Sequence, residues 1–321
     1  MNRDHVTLCF NMNDIQQNAI IFVGGPGQSM LRKAAGHPVC LLPIPGSNSL
    51  LHSWIDVLKK KMNVGSISLV TGRLDDVPAL EQQVLAYKAS EHLNISVHAD
   101  QSSHRGTAGA LKDFIDERPH LRNLIFIEGN RVPPEYPRNL FCDDFLDEEV
   151  VGVLGRTARH ETAGMILMKR EMVEHVPDLG FFDFKEQLIP RIIDSGSRIL
   201  VKEISRKSIR LSTPSSYLKQ LIEFEPLREG ECSGPFISDS AQIDPTAVLG
   251  RNVIVGADVT IRARCLIQDS VILEGSRIGA DSTLIRSIVT RDSVIGPGTS
   301  SVMTPHDLNM TLSATHRRRV S

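Results

Sequence analysis

The hydrophobic rhythm of the chain changes once. From Ala19 to about Glu225, short apolar runs alternate with segments of helical spacing. "AIIFVGG" is a near-continuous apolar run closing on glycine, the pattern of a strand buried on both faces. "SLLHSWIDVLKKKM" sets Leu50, Leu51, Trp54, Val57 and Leu58 near helical spacing. "SISLVTG" reads as a second strand, "ALEQQVLAYKASEHL" as an amphipathic helix and "NISVHAD" as a third strand. "TAGALKDFIDER" reads as a helix, and "RNLIFIEGN" as a strand ending at Gly129-Asn130. This order predicts an α/β fold, a Rossmann-like, mostly parallel sheet covered on both faces. Such sheets bind ligands at the carboxyl ends of their strands. Gly24 to Gln28, Gln101 to Gly109 and Gly129-Asn130 all fall there, and line one expected crevice.

Near Gly230 the period becomes six. Ile237, Ile243, Leu249, Val255, Ile261 and Ile267 keep the beat. A one-residue slip leads to Ile272, Ile278 and Leu284, and another to Val289 and Ile295. Glycine follows the apolar residue at Leu249, Val255, Ile278 and Ile295. A hexapeptide period predicts a short left-handed parallel β-helix, one apolar side chain per strand turned inward. At about 18 residues per three-sided coil it supplies three to four coils, and its end coil needs a cap or a partner. The expected division is an N-terminal extension over 1–18, the α/β domain over 19–228, the β-helix over 235–300 and a tail over 301–321.

Composition narrows the function classes. Lys plus Arg is 36 and Asp plus Glu 38, a formal net charge of −2, which gives no support for broad nucleic-acid binding. The run His316-Arg317-Arg318-Arg319 reads as a frayed tail. Cys9, Cys40, Cys142, Cys232 and Cys265 are odd in number and form no CxxC, which argues against a disulfide framework or a zinc site. No apolar run approaches the ~18 residues of a membrane span, and the N-terminus lacks a signal-peptide core, so a cytoplasmic protein is expected. An acyltransferase on the β-helix would need a coil-borne His as base; none lies between Ile237 and Ser300, the first being His306.

In "AIIFVGGPGQSMLRK" an apolar run feeds a glycine turn and a helix-compatible segment, the outline of a phosphate-binding loop. The residues after Gly27 are the neutral Gln28, Ser29 and Met30. Together with "LLPIPGSNSLLHSWIDVL", "QSSHRGTAGAL", "LIFIEGN", "TAGMILMKREMVEHV", "FFDFKEQLIPRIIDSG", "RLSTPSSYLKQL" and the hexapeptide tail, this loop resembles the sugar-phosphate nucleotidyltransferases (NDP-sugar pyrophosphorylases) that end in a left-handed β-helix. The resemblance spans roughly Ala19 to Thr299. It implies a reaction of a nucleoside triphosphate with a sugar 1-phosphate, releasing pyrophosphate, with Mg²⁺ and positioned cations neutralising the phosphates.

The residues that would carry this chemistry depart from the family's pattern. Ser29 stands at the signature Arg, Val39 at the Lys, Asn130 at the first metal Asp and Arg210 at the second. The "EKP" sugar-contacting segment is missing between Asn130 and Thr162. Arg32 and Lys33 are the possible catalytic substitutes. By resemblance, Gly24, Gly25, Gly27, Gln28, Gln101, Arg105 and Gly106 are the nucleotide-binding candidates; Gln101 would read a base edge and Arg105 would add a phosphate contact. Asn130 and Arg210 are degenerate metal positions, and Mg²⁺ is expected only if the chain is an active enzyme. Three readings follow: a weak or inactive nucleotidyltransferase-like regulatory or scaffold subunit that binds a nucleotide or nucleotide sugar, an active enzyme with relocated groups, or a purely structural assembly module. A homo- or hetero-oligomer through the β-helix is expected, with no nucleic-acid or membrane partner.

Overall fold

The computed structural model describes residues 18–25, 29–88, 94–100, 104–223 and 234–302. The described chain divides into two compact units: 18–25 with 54–208, and 29–53 with 209–302.

The first unit is built on a seven-stranded sheet. Its strands are β1 (Asn18–Gly24), β2 (Ser66–Thr71), β3 (Asn94–Ala99), β4 (Asn123–Glu128), β5 (Val150–Thr157), β6 (Thr162–Lys169) and β7 (Arg198–Ser205), in the order β3-β2-β1-β4-β6-β5-β7. Neighbours are parallel except at β6, which runs antiparallel to both β4 and β5. The helices, in chain order, are α1 (Met30–Ala35), α2 (Leu50–Asp56), α3 (Val77–Lys88), α4 (Gly106–Asp116), α5 (Ile189–Asp194) and α6 (Pro214–Ile222). The division of the chain crosses α2, and it assigns α1 and α6 to the second unit. α4 buries Ala108, Leu111, Phe114 and Ile115 in a core shared with Ile20, Leu124 and Phe126. Phe126 stacks flat on Phe184, ring centres 5.4 Å apart, and takes Phe22 edge-on at 5.1 Å.

The second unit holds the β-helix. Twelve strands of two or three residues, from Phe236–Ile237 to Ser300–Val302, form three four-stranded parallel sheets, hence four coils of the left-handed hexapeptide class. Pairing partners lie 18 residues apart in the first coil step (Val248↔Leu266) and 17 in the next two (Leu266↔Thr283, Thr283↔Ser300). The two slips in the sequence rhythm are these shortened coils. The beat residues from Val255 to Ile295 fill the prism, while Ile237 in the first coil is 44% exposed.

One face of the prism is covered. Ile254, Val271 and Ile288 point outward beside inward Val255, Ile272 and Val289, yet all three are buried. α6 packs here, burying Tyr217, Leu218 and Leu221. The Tyr217 hydroxyl donates to the Pro43 carbonyl, and Leu31 N donates to Ser212 O at 3.1 Å. These contacts bind 29–53 and 209–223 into the β-helix unit, so a single boundary at 228 does not follow the compact units. Residues 1–17 of the expected extension, most of the tail, and 224–233 lie outside the described residues, while Asn18 opens β1.

Candidate functional site

β1 and β4 are neighbours, but the chain travels outward through β2 and β3 before it returns to β4. Strand order reverses between them, and the crevice beyond such a switch point is where open α/β sheets hold ligands. Phe22 pairs with Glu128 in register, and β1 runs past that row into Gly24 and Gly25. Both glycines are exposed, and a Cβ on either would meet nothing within 4 Å. Packing therefore places no demand for glycine there; at Gly24 the backbone does, with φ +152°, and its carbonyl accepts from Gly72 N at 2.8 Å.

The last residue of β4 carries the strongest electrostatics of the site. Glu128 is paired through one oxygen with Arg131 Nε and through the other with Lys185 Nζ, each at 2.6 Å. Burial alone would raise its pKa. The two cations outweigh that and hold the carboxyl below its ordinary value. Arg131 is buried and donates from Nη1 to Ser208 Oγ at 2.8 Å, while its own carbonyl accepts from the Trp54 indole at 2.7 Å. Gly164 on β6 leaves the room this needs: φ there is +71°, and a Cβ would lie 2.2 Å from Arg131 Cδ. Lys185 follows the Asp183 cap, whose carboxylate accepts from Lys185 N and Glu186 N, and its side chain is 43% exposed. Glu128, Arg131 and Lys185 were not among the sequence candidates. The acidic residue just before Gly129 at a strand end was a readable signal; Lys185 comes from 57 residues on and had none.

The sequence candidates take other roles. Ser29 caps α1, its hydroxyl accepting from Arg32 N at 3.1 Å. Arg32 and Lys33 occupy the last turn of α1, where positive charge complements the helix dipole. Val39 is buried at 6% exposure, so the position expected for a Lys is part of an apolar core. Arg210 is exposed, just ahead of Leu211 and the Thr213–Ser216 capping box of α6. Asn130 lies in the turn after β4. Gly27, Gln28 and Gln101 fall outside the described residues.

Arg105 and Gly106 make contacts within the fold. Arg105 is turned inward: Nε and Nη2 donate to Asp113 at 3.1 and 3.0 Å, Nη1 to Gly180 O and Nη2 to Pro177 O, both at 2.9 Å. Four donors satisfied inside the fold leave this guanidinium as a brace rather than a phosphate contact. Gly106 has φ +72°, and a Cβ there would sit 2.6 Å from Phe182 O. That same carbonyl accepts from Ala108 N and Gly109 N, occupying donors at the start of α4. The glycine is explained by this turn and close approach.

The Mg²⁺ implied by the resemblance does not fit these residues. A hard divalent cation wants carboxylate oxygens. Asn130 is uncharged, Arg210 is cationic, and both oxygens of Glu128 are in ion pairs. Among the described residues no group of three or more His, Cys, Asp or Glu is disposed to hold a metal ion. Among them, too, no helix is long and apolar enough to cross a membrane.

Residues 233–303 match the family model described as the GMPPB C-terminal domain, a match confined to the β-helix and its edges. No curated protein matches the chain. The seven-stranded sheet is thus followed by a β-helix that is similar to the C-terminal domain of GMPPB.

Proposed function

We propose that the chain is a sugar-nucleotide-binding protein of nucleotide-sugar or polysaccharide metabolism, weak or inactive as a nucleotidyltransferase, acting in the cytoplasm as a regulatory or scaffold subunit. The observation that carries this reading is the end of β4. There the only acidic side chain of the Glu128-Gly129-Asn130 turn is held in ion pairs with Arg131 and Lys185. Transfer chemistry needs metal-held phosphates and cations aimed at the leaving pyrophosphate. Ser29 is a helix cap and Val39 a core residue, so neither supplies that charge. Losing one such contact commonly lowers a rate by roughly 10²- to 10³-fold. Exposed Gly24 and Gly25, with free space where a side chain would stand, support ligand approach all the same. Assembly through the β-helix is part of the proposal: Val248 and Leu266, paired in register on adjacent coils, are 57% and 40% exposed.

The test is pyrophosphate release by purified protein given each nucleoside triphosphate with sugar 1-phosphates and Mg²⁺. The expected result is no turnover above background. Robust release would overturn the inactive reading and restore the active enzyme.

A further inference from the structure

We infer that Lys185 is the cation this chain offers to the phosphates of its ligand, in the place a metal ion would otherwise hold. The inference rests on the sugar-nucleotide reading above and names the residue that reads the diphosphate.

Four observations converge. First, the charges do not cancel. Arg131 alone would neutralise Glu128, and Arg131 is already fixed by Ser208. Lys185 adds a second cation, leaving the cluster one positive charge in excess. A partly desolvated excess charge favours an anionic ligand. Second, the place is right. Glu128 ends β4 at the switch point of the sheet, and its row partner Phe22 leads directly to Gly24 and Gly25. Third, the ammonium is both held and available. One donor reaches Glu128 Oε1 at 2.6 Å, the side chain is 43% exposed, and an ammonium has three donors. Arg131 is buried, so Lys185 is the member of the cluster that meets solvent. Fourth, the carboxylates that would seat Mg²⁺ are lacking, so phosphate charge at this strand end has to be met by the protein itself. Glu128 is then a positioning residue. It fixes the direction of the ammonium without reaching the ligand.

The experiment is calorimetric titration of the full chain in EDTA with GDP-mannose, UDP-glucose, ADP-glucose and dTDP-glucose, comparing the parent protein with Lys185→Met and Lys185→Arg. A charge-assisted contact to phosphate is worth a factor of about ten or more in Kd. Lys185→Met is expected to lose that factor and to flatten the salt dependence of Kd, while Lys185→Arg keeps most of both. The unfolding midpoint of ligand-free Lys185→Met is measured alongside, and Lys185→Gln answers the same question if the Met variant does not fold. A Kd for Lys185→Met within about twofold of the parent overturns the inference and leaves the sugar-nucleotide reading standing. Failure of the parent protein to bind any of the four overturns both.

Discussion

Arg105 joins the start of α4 to a loop more than 70 residues away. It does so with a bidentate pair to Asp113 and bonds to the Pro177 and Gly180 carbonyls. Planar fork geometry makes those bonds compatible, and a lysine cannot reproduce it. Arg105→Lys is therefore expected to destabilise the fold by about 1–3 kcal/mol in urea denaturation while leaving nucleotide-sugar Kd unchanged. An altered Kd at unchanged stability would return Arg105 to the ligand site. In the sequence, an arginine before "GTAGAL" reads the same whether it faces a phosphate or a distant carbonyl. The deciding partners are brought in by tertiary structure. Val39 and Asn130 were different: an absent charge is visible without a fold.

The β-helix was the most legible element, because its period is written in single residues. Its corners add a second rule. Asn252, Asp258, Arg264, Asp269, Gly275, Asp281, Arg286 and Asp292 all have positive φ, and each lies three residues before an inward beat residue. Asn, Asp and Gly tolerate this conformation best. The next residue is buried in every case: Val253, Val259 and Cys265 in the early coils, then Ser270, Ser276, Ser282, Ser287 and Ser293. Ser270, Ser276, Ser282 and Ser287 each reach a carbonyl of the following coil, as Ser276 does Thr290 O at 2.7 Å, while Ser293 bonds Arg291 O and Thr290 Oγ1. Asn252 has φ +52° and donates to Asp269 Oδ1 at 2.8 Å. Asn252→Ala should cost about 1–2 kcal/mol in thermal or urea unfolding, and Asn252→Gly less. Equal loss in both would assign the cost to the Asp269 contact instead of the backbone. The covered face was only partly legible: Ile254-Val255, Val271-Ile272 and Ile288-Val289 set two apolar residues side by side, but so do Val248-Leu249, Leu266-Ile267 and Val294-Ile295 on the other sheets. Which segment covers it was not, because α6 is separated from the prism by 224–233.

At the scale of the whole chain, the fold class followed from the change of rhythm, but the compact units did not, because α6 packs on the prism at Ser270–Ile272 and holds 29–53 through the Tyr217 to Pro43 bond. Both units carry a histidine disfavoured in its charged form. His37 has its pKa lowered chiefly by burial; His98 by burial and then by Arg118. The unfolded chain thus binds protons more readily than the native one below about 6.5, the ordinary histidine value. Stability is expected to hold above that pH and to fall as pH drops toward 5, with a shallower fall in His37→Gln. A Tm flat over this range would contradict the burial of His37 and the half-burial of His98. Glu128, with its pKa depressed, adds a loss of the same sign at lower pH, as its ion pairs are protonated away. In the proposed function a sugar nucleotide is held by the protein's own cations without a metal ion. It is tested most directly by the nucleotide-sugar thermal shift in EDTA against the same shift in Mg²⁺. A saturating ligand at 100 Kd stabilises the native state by about 2.7 kcal/mol. The account predicts that shift for at least one nucleotide sugar, equal in both buffers; a shift that appears only with Mg²⁺ would contradict it.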